Sequence, residues 1–355
     1  MMRFVFCILL FVTVCTQSLF ASSSEHGEEF DATEMIMHHI GDSHEWHIIS
    51  LNSGKENEIH ITLPLPVILW HEGLHIFLSS KFHKEKVVSI GNSYVVYEHE
   101  KIYLTDANGT LAHDEEGHIT NAKPWDFSIT KNVVSMFLSI AILLLIFISA
   151  AKSYKKRGAL SAPKGIQNVA EYVLLFVRDD IIKAQIHDSR KVDFFAPYLL
   201  TLFFFIIINN LIGLVPFFPG GSNLSGNISF TLTLAVISFL AINVFAPKAY
   251  WKHLFLAPGV PGFVKFILVP VEFIGLFTKP FALTLRLFAN ITAGHIIILS
   301  LTAMIFVLGS IGVSPISILL TLIMYCLEFL VAFLQAYIFT LLTSLFIGMA
   351  VNESH

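Results

Sequence analysis

The chain has 355 residues; 55% are hydrophobic, 14% are charged, and the mean hydropathy is +0.71. A balance this apolar excludes an ordinary soluble domain and a disordered chain, and it points to a membrane protein. The net charge of −4 hides an asymmetry: residues 22–130 hold eighteen Asp/Glu against six Lys/Arg and twelve of the sixteen His, whereas residues 131–355 hold fifteen basic against eight acidic residues. An acidic, His-rich block ahead of a basic, apolar block predicts a region outside the membrane on a membrane body, with membrane lipid and not nucleic acid as the partner. The three cysteines give no disulfide framework, since Cys7 and Cys15 fall in the leader and Cys326 in an apolar helix.

Residues 1–21 combine one basic residue, a short apolar core and small residues around Ala21, the pattern of a secretory signal peptide. Residues 22–130 are then an acidic, His-rich extracytoplasmic region. After a polar start they carry short β-like runs at 45–51, 58–70, 86–90 and 93–104, so a small β-rich domain is expected. Within them His71-Glu72-Gly73-Leu74-His75 matches H-E-x-x-H, which on a helix sets two His one turn apart to bind zinc, with the Glu as general base. Gly73 interrupts such a helix, Pro64 and Pro66 stand just upstream, and no third ligand falls at a set spacing. His71 and His75 are weak metal candidates. The expectation is an ordinary His pair and no metal.

The membrane domain spans 131–355. Residues 131–151 are apolar enough for a first span, which needs about 20 residues, and KSYKKRG follows at once. Positive charge marks the cytoplasmic side, so the chain enters from outside. Residues 164–192 alternate apolar and charged positions at three- and four-residue steps, an amphipathic helix for the membrane surface or for another subunit. Spans at 194–219 and 227–246 follow, with Asn209 and Asn210 deep in the first, lining a polar cavity or bonding to a neighbouring helix.

Two long apolar stretches remain, 263–308 and 314–350. Fully helical, the first is about 69 Å long and the second about 54 Å, against a hydrocarbon thickness of about 30 Å. No polar loop interrupts either, so each is expected as one strongly tilted helix rather than two spans. The fold class is therefore an all-α polytopic membrane protein: five crossing helices, the last two a tilted hairpin, one amphipathic surface helix, and a small β-rich extracytoplasmic region.

Lys265, Glu272, Lys279 and Arg286 recur every seven residues, close to two helical turns, and His295 follows. They form a stripe of ionisable groups on an apolar helix, where each charge is expensive and signals an ion path. Folding the two stretches back near residue 311 sets His295 level with Glu328 and Arg286 level with Gln335. A buried His–Glu pair can relay protons, whereas arginine keeps its charge and blocks a direct leak. Glu272, Arg286 and His295 then mark two polar approaches separated by a fixed positive charge.

The run LTLRLFANITAGH (283–295), with INNLIGLVPF (208–217) before it and LQAYIFTLLT (334–343) after it, resembles subunit a of the F-type ATP synthase over roughly residues 131–350. The resemblance implies that Arg286 is the essential arginine, that Asn290 and Gln335 are its polar neighbours, and that Glu272 is the cytoplasmic channel carboxylate. The pair of His295 on the first helix and Glu328 on the second is similar to that of mitochondrial-type members. Gly213 stands where some bacterial members carry an acid. The resemblance further implies a stator subunit in the bacterial inner membrane, with its N-terminal region periplasmic and its C-terminus cytoplasmic. It would offer two half-channels to a rotating ring of carboxylate-bearing hairpin subunits (subunit c), beside the stalk subunit b and a soluble catalytic head. Such a subunit takes no cofactor and makes no ATP itself. A stand-alone ion transporter and a membrane-anchored zinc protease using His71, Glu72 and His75 are the alternatives.

Overall fold

The computed structural model of the chain describes residues 33, 36–37, 40–51, 59–115, 117–158, 162–215, 218–256, 261–308 and 314–352. The leader expected over 1–21, the start of the acidic region and the fold-back around residue 311 lie outside the described residues. The chain divides into two compact units.

The first unit holds the chain up to Phe137 together with residues 215–222 and 295–325. Its β elements, in order, are β1 (Glu45–Leu51), β2 (Ile59–Pro64), β3 (Pro66–Trp70) and β4 (Leu74–Leu78), a short helix α1 (Ser80–Lys84), and then β5 (Val87–Ile90), β6 (Ser93–Glu98), β7 (Lys101–Thr105) and β8 (Trp125–Asp126). They form three antiparallel sheets, β1-β2, β4-β3-β8 and β5-β6-β7. The single run expected at 58–70 is two strands. At Leu65 the chain pairs with Ser79 instead, whose hydroxyl accepts from Leu65 N at 3.1 Å and whose N–H donates to Leu65 O. Alternation within β3 turns Val67 and Leu69 inward, where they pack with Val88, Ile90, Val95 and Ile102 as the core.

This region joins the first membrane helix, α2 (Lys131–Arg157), without a loose linker. Phe127 N bonds Ile68 O and Ile129 N bonds Pro66 O, so pairing with β3 continues to the helix start. The Asp42 carboxylate accepts from Thr130 Oγ1 at 3.0 Å and from Asn132 N at 3.1 Å, and Lys131 N donates to Ser43 O. An anion there satisfies an orphan N–H and complements the helix dipole. Ser222 Oγ bonds the Asn132 side chain at 2.6 Å, and Trp46 packs edge-on against Phe218.

The second unit holds residues 138–214, 223–294 and 326–355. Helix α2 ends at a Gly158 with φ of +83, whose N–H bonds Tyr154 O; Lys152, Lys155 and Lys156 stand in its last turns. The amphipathic segment expected over 164–192 is shorter than the sequence pattern. It runs as α3 (Ile166–Leu175), widens into a π-helical stretch over Phe176–Ile182, and ends after one further turn at Gln185. Val177, Ile181 and Ile182 turn into the core from the π stretch, while Asp179 pairs with Lys183 at 2.6 Å on the outer side. That bond holds the Asp179 carboxyl below its ordinary pKa.

Helix α4 (Ser189–Leu214) therefore begins five residues earlier than the span expected from 194, and it stops short of 219 because Val215 precedes Pro216. Helix α5 (Ile228–Val244) is capped by the Asn227 side chain, which accepts from Ser229 N and Phe230 N. Helix α6 (Lys248–Leu256) follows after a bend. Helices α7 (Gly262–Leu308) and α8 (Ser314–Asn352) are each continuous, and α7 runs through Pro270 and Pro280 unbroken. Lipid offers no hydrogen bonds, so a kinked helix is less costly there than a break. Among the described residues α2, α4, α7 and α8 are long and apolar enough to cross a membrane, and α5 with α6 makes a fifth if that bent pair is one span.

The core of this unit gathers Leu199, Phe203 and Ile206 of α4, Ala235 of α5, Leu287 of α7, and Ala336, Phe339 and Ile347 of α8. In lipid such packing rests on close fit, which small residues allow. At Gly348 a Cβ would lie 2.4 Å from Gln185 O, so only glycine lets α8 approach the end of the amphipathic segment. Lys191 Nζ donates to Val351 O at 2.9 Å and satisfies a carbonyl at the α8 C-terminus.

Candidate functional site

The site lies where α7 meets α8 in the second unit. Asn290 Nδ2 donates to Gln335 Oε1 at 3.0 Å. Asn290 is exposed on α7, whereas Gln335 is buried, at 2% exposure, on α8. Four residues further along α7, Gly294 faces Glu328: a Cβ at 294 would lie 3.0 Å from the carboxyl carbon. Glu328 is itself 3% exposed. The two contacts together give a hairpin register centred near residue 312.

Arg286 stands one turn before Asn290 and is exposed. Ala282, Leu285, Ala289 and Ala293 are exposed beside it, at the three- and four-residue steps of one helix face. No ion pair of Arg286 occurs among the described residues. A permanent charge thus sits on a face of small apolar side chains, open to whatever packs there. Glu272 and Lys279 lie half-buried on the same helix, and the Lys279 ammonium sits over the Phe346 ring at 5.1 Å. His295 is half-buried and lies, in the division of the chain, with the first unit.

A second polar connection reaches the same stretch of α8 from α4. Asn210 Nδ2 donates to Ala332 O at 3.1 Å, and its carbonyl oxygen accepts from Ser225 Oγ at 2.6 Å. Asn210 and Ser225 are buried polar side chains in an otherwise apolar interior. Ala332 lies one turn beyond Glu328 and one turn before Gln335, so Asn210 fixes the segment that carries both. The asparagine was visible in the sequence as a polar residue deep in a span. Ser225 gave no such signal, because it falls in an uncharged loop.

The H-E-x-x-H match does not form a helix. His71, Glu72 and Gly73 make the turn between β3 and β4, with Glu72 at φ +52, and His75 is a residue of β4. The His75 ring nitrogen Nε2 bonds His71 O at 3.1 Å. The motif's two His therefore do not share one helix face, as the zinc-protease geometry requires. Among the described residues no group of three or more His, Cys, Asp or Glu is arranged to hold a metal ion.

Long apolar helices, polar side chains facing one another across the last two, and one exposed arginine in apolar surroundings define a polytopic helical membrane protein of the ion-conducting class. Residues 133–348 match the family model described as the ATP synthase A chain, and the chain belongs to that family. A second family model, described as a domain of unknown function (DUF8433), matches residues 35–127. The chain is 50% identical over 236 residues to ATP synthase subunit a of Chloroherpeton thalassium, covering 65% of this chain and 69% of the relative. It is 48% identical over 237 residues to ATP synthase subunit a 2 of Chlorobaculum tepidum, covering 65% of each. It is 36% identical over 340 residues to ATP synthase subunit a of an Anaeromyxobacter species, covering 93% of this chain and 73% of the relative, which takes in most of the N-terminal region. The chain is thus a proton-translocating membrane subunit of the F-type ATP synthase, working as part of a larger complex and not catalytic by itself.

Proposed function

We propose that the chain is the stator half of the proton motor, with Arg286 as the fixed charge that separates two half-channels. The observation that carries this reading is the Asn290–Gln335 bond: it holds α7 against α8 one turn from an arginine left exposed on a small-residue face. Glu272 lies fourteen residues before Arg286, about 21 Å along the helix, and His295 lies nine after it, about 14 Å. Glu272 serves the cytoplasmic approach, and His295 with Glu328 the outer one. Glu328 and His295 carry the outer approach without the acid that Gly213 replaces.

An arginine near the middle of a bilayer costs about 3 kcal/mol on insertion scales, so its exposed face calls for an anion. A carboxylate on each subunit c of a rotating ring supplies one. As the ring turns, its carboxylate takes a proton from one approach and gives one up at the other. Beside Arg286 it is held ionised, because an opposite charge favours the charged form. Arg286 itself stays protonated and repels protons from the direct route. Stalk subunit b and the soluble catalytic head complete the complex.

The chain crosses five times. Lys152, Lys155 and Lys156 at the end of α2 mark the cytoplasmic side, which sets the N-terminal region outside the inner membrane and the C-terminus in the cytoplasm. A sulfhydryl-to-photoreactive cross-linker on Ala289→Cys, in a Cys326→Ser background, tests the ring contact in the assembled complex. It should capture the small ring subunit and stop ATP-driven pumping. Capture of lipid alone would point to a stand-alone transporter.

A further inference from the structure

The sheet β4-β3-β8 is apolar on both faces. Val67 and Leu69 fill the core on one side. On the other side Trp70, Leu74, Ile76, Leu78, Trp125 and Phe127 are between 50% and 73% exposed. The register brings them into one surface: Trp70 pairs with both Leu74 and Trp125, and Ile68 with Ile76. No charged side chain of the three strands points to this side, since Asp126 turns the other way, to His44 at 2.8 Å. Three strands of this length make a patch roughly 10 Å by 15 Å. Six large apolar side chains exposed side by side across paired strands differ from singly scattered surface apolars, which need no explanation.

We infer that this face rests on the outer lipid headgroup layer. The position of the sheet in the chain argues for lipid over a soluble partner. Phe127 and Ile129 pair with β3, and the membrane helix begins two residues later, so the edge of the sheet is built into the start of a span. Lys152 marks the inner end of that span, and the 20 or so residues a bilayer core needs reach back to about residue 132. Phe127, five residues before that boundary, then lies within about 18 Å of it even if fully extended, and the headgroup layer takes up the near part of that range. Trp is the side chain most suited to that layer, being apolar in body with one polar N–H. The face would fix the acidic region at the membrane surface and bury a sheet side that water disfavours.

The test is photocross-linking in the assembled complex in its native membrane. Ile76→p-benzoylphenylalanine sits on an exposed position that takes no part in the core, and Phe127→p-benzoylphenylalanine gives an independent site should the first variant fail to accumulate. Lys101→p-benzoylphenylalanine, at an exposed position of β7, is the control. After irradiation, peptides carrying residue 76 or 127 should bear phospholipid adducts in several-fold excess over the peptide carrying residue 101. A cross-link to another subunit or to a second copy, no adduct at either site, or equal lipid labelling at 101 would each overturn the inference.

Discussion

Asn290 on α7 donates a hydrogen bond of 3.0 Å to Gln335 on α8, one turn beyond Arg286. The bond sets the spacing of the two helices where the charge stands. Neutral hydrogen bonds of this kind contribute about 1 kcal/mol net. Asn290→Ala and Gln335→Ala should each slow ATP-driven pumping, and the double variant should be little worse than the more damaging single one. A double-mutant cycle on pumping rates checks this; additive losses would mean that the two residues act separately.

Glycine at 294 leaves room for the Glu328 carboxylate on the facing helix. An alanine there would push its Cβ to 3.0 Å from the carboxyl carbon, closer than ordinary contact. Gly294→Ala should cost about 1–3 kcal/mol through overpacking and should lower pumping as Glu328→Gln does. Thermal denaturation of the purified complex measures the first effect, and vesicle pumping the second.

Asn210 spans α4, the 224–226 turn and α8 through two buried bonds. Asn210→Leu would leave Ser225 and the Ala332 carbonyl without it, a loss of about 1–3 kcal/mol. The complex should then assemble less well in detergent. Ser225→Ala removes only one of the two bonds and should have the smaller effect, which subunit yield after purification would reveal.

In the N-terminal region, burial pushes the Asp126 carboxyl upward, but bonds from His44 and from Ser128 outweigh it and hold its pKa below the usual value. A depressed carboxylate pKa contributes stability that is present above the unfolded value, about 3.9, and is lost as pH falls through the folded value. The β-rich region should therefore loosen only below about pH 4. Tryptophan fluorescence of the whole chain during acid titration should show this transition, and Asp126→Asn should flatten it.

Much of this architecture is legible in the sequence because lipid simplifies the problem. Runs such as 263–308 have to be helical to satisfy their own backbone, and any charge among them stands out, as Arg286 and Glu272 do. A single fold-back near residue 311 sets Arg286 level with Gln335, whereas the bond joins Gln335 to Asn290, one turn further along α7. The end of the amphipathic segment was not legible: its apolar spacing continues to residue 192, but the π stretch at Phe176–Ile182 shifts the register and the chain leaves the helix after Gln185. The H-E-x-x-H pattern misleads for a related reason. Helical spacing alone does not make a helix, and the β3–β4 pairing across Trp70 and Leu74 takes the same residues into a hairpin turn. The Ser225–Asn210 bond joins a loop to a helix fifteen residues away, and no local pattern announces it.

The most direct measurement is ATP-driven proton pumping by vesicles carrying the assembled complex with Arg286→Ala. The protein should insert and assemble, and pumping should vanish while ATP hydrolysis by the soluble head persists. Pumping near the wild-type rate would contradict the central role given to Arg286, and would make the charged stripe of α7 a structural feature rather than part of the proton path.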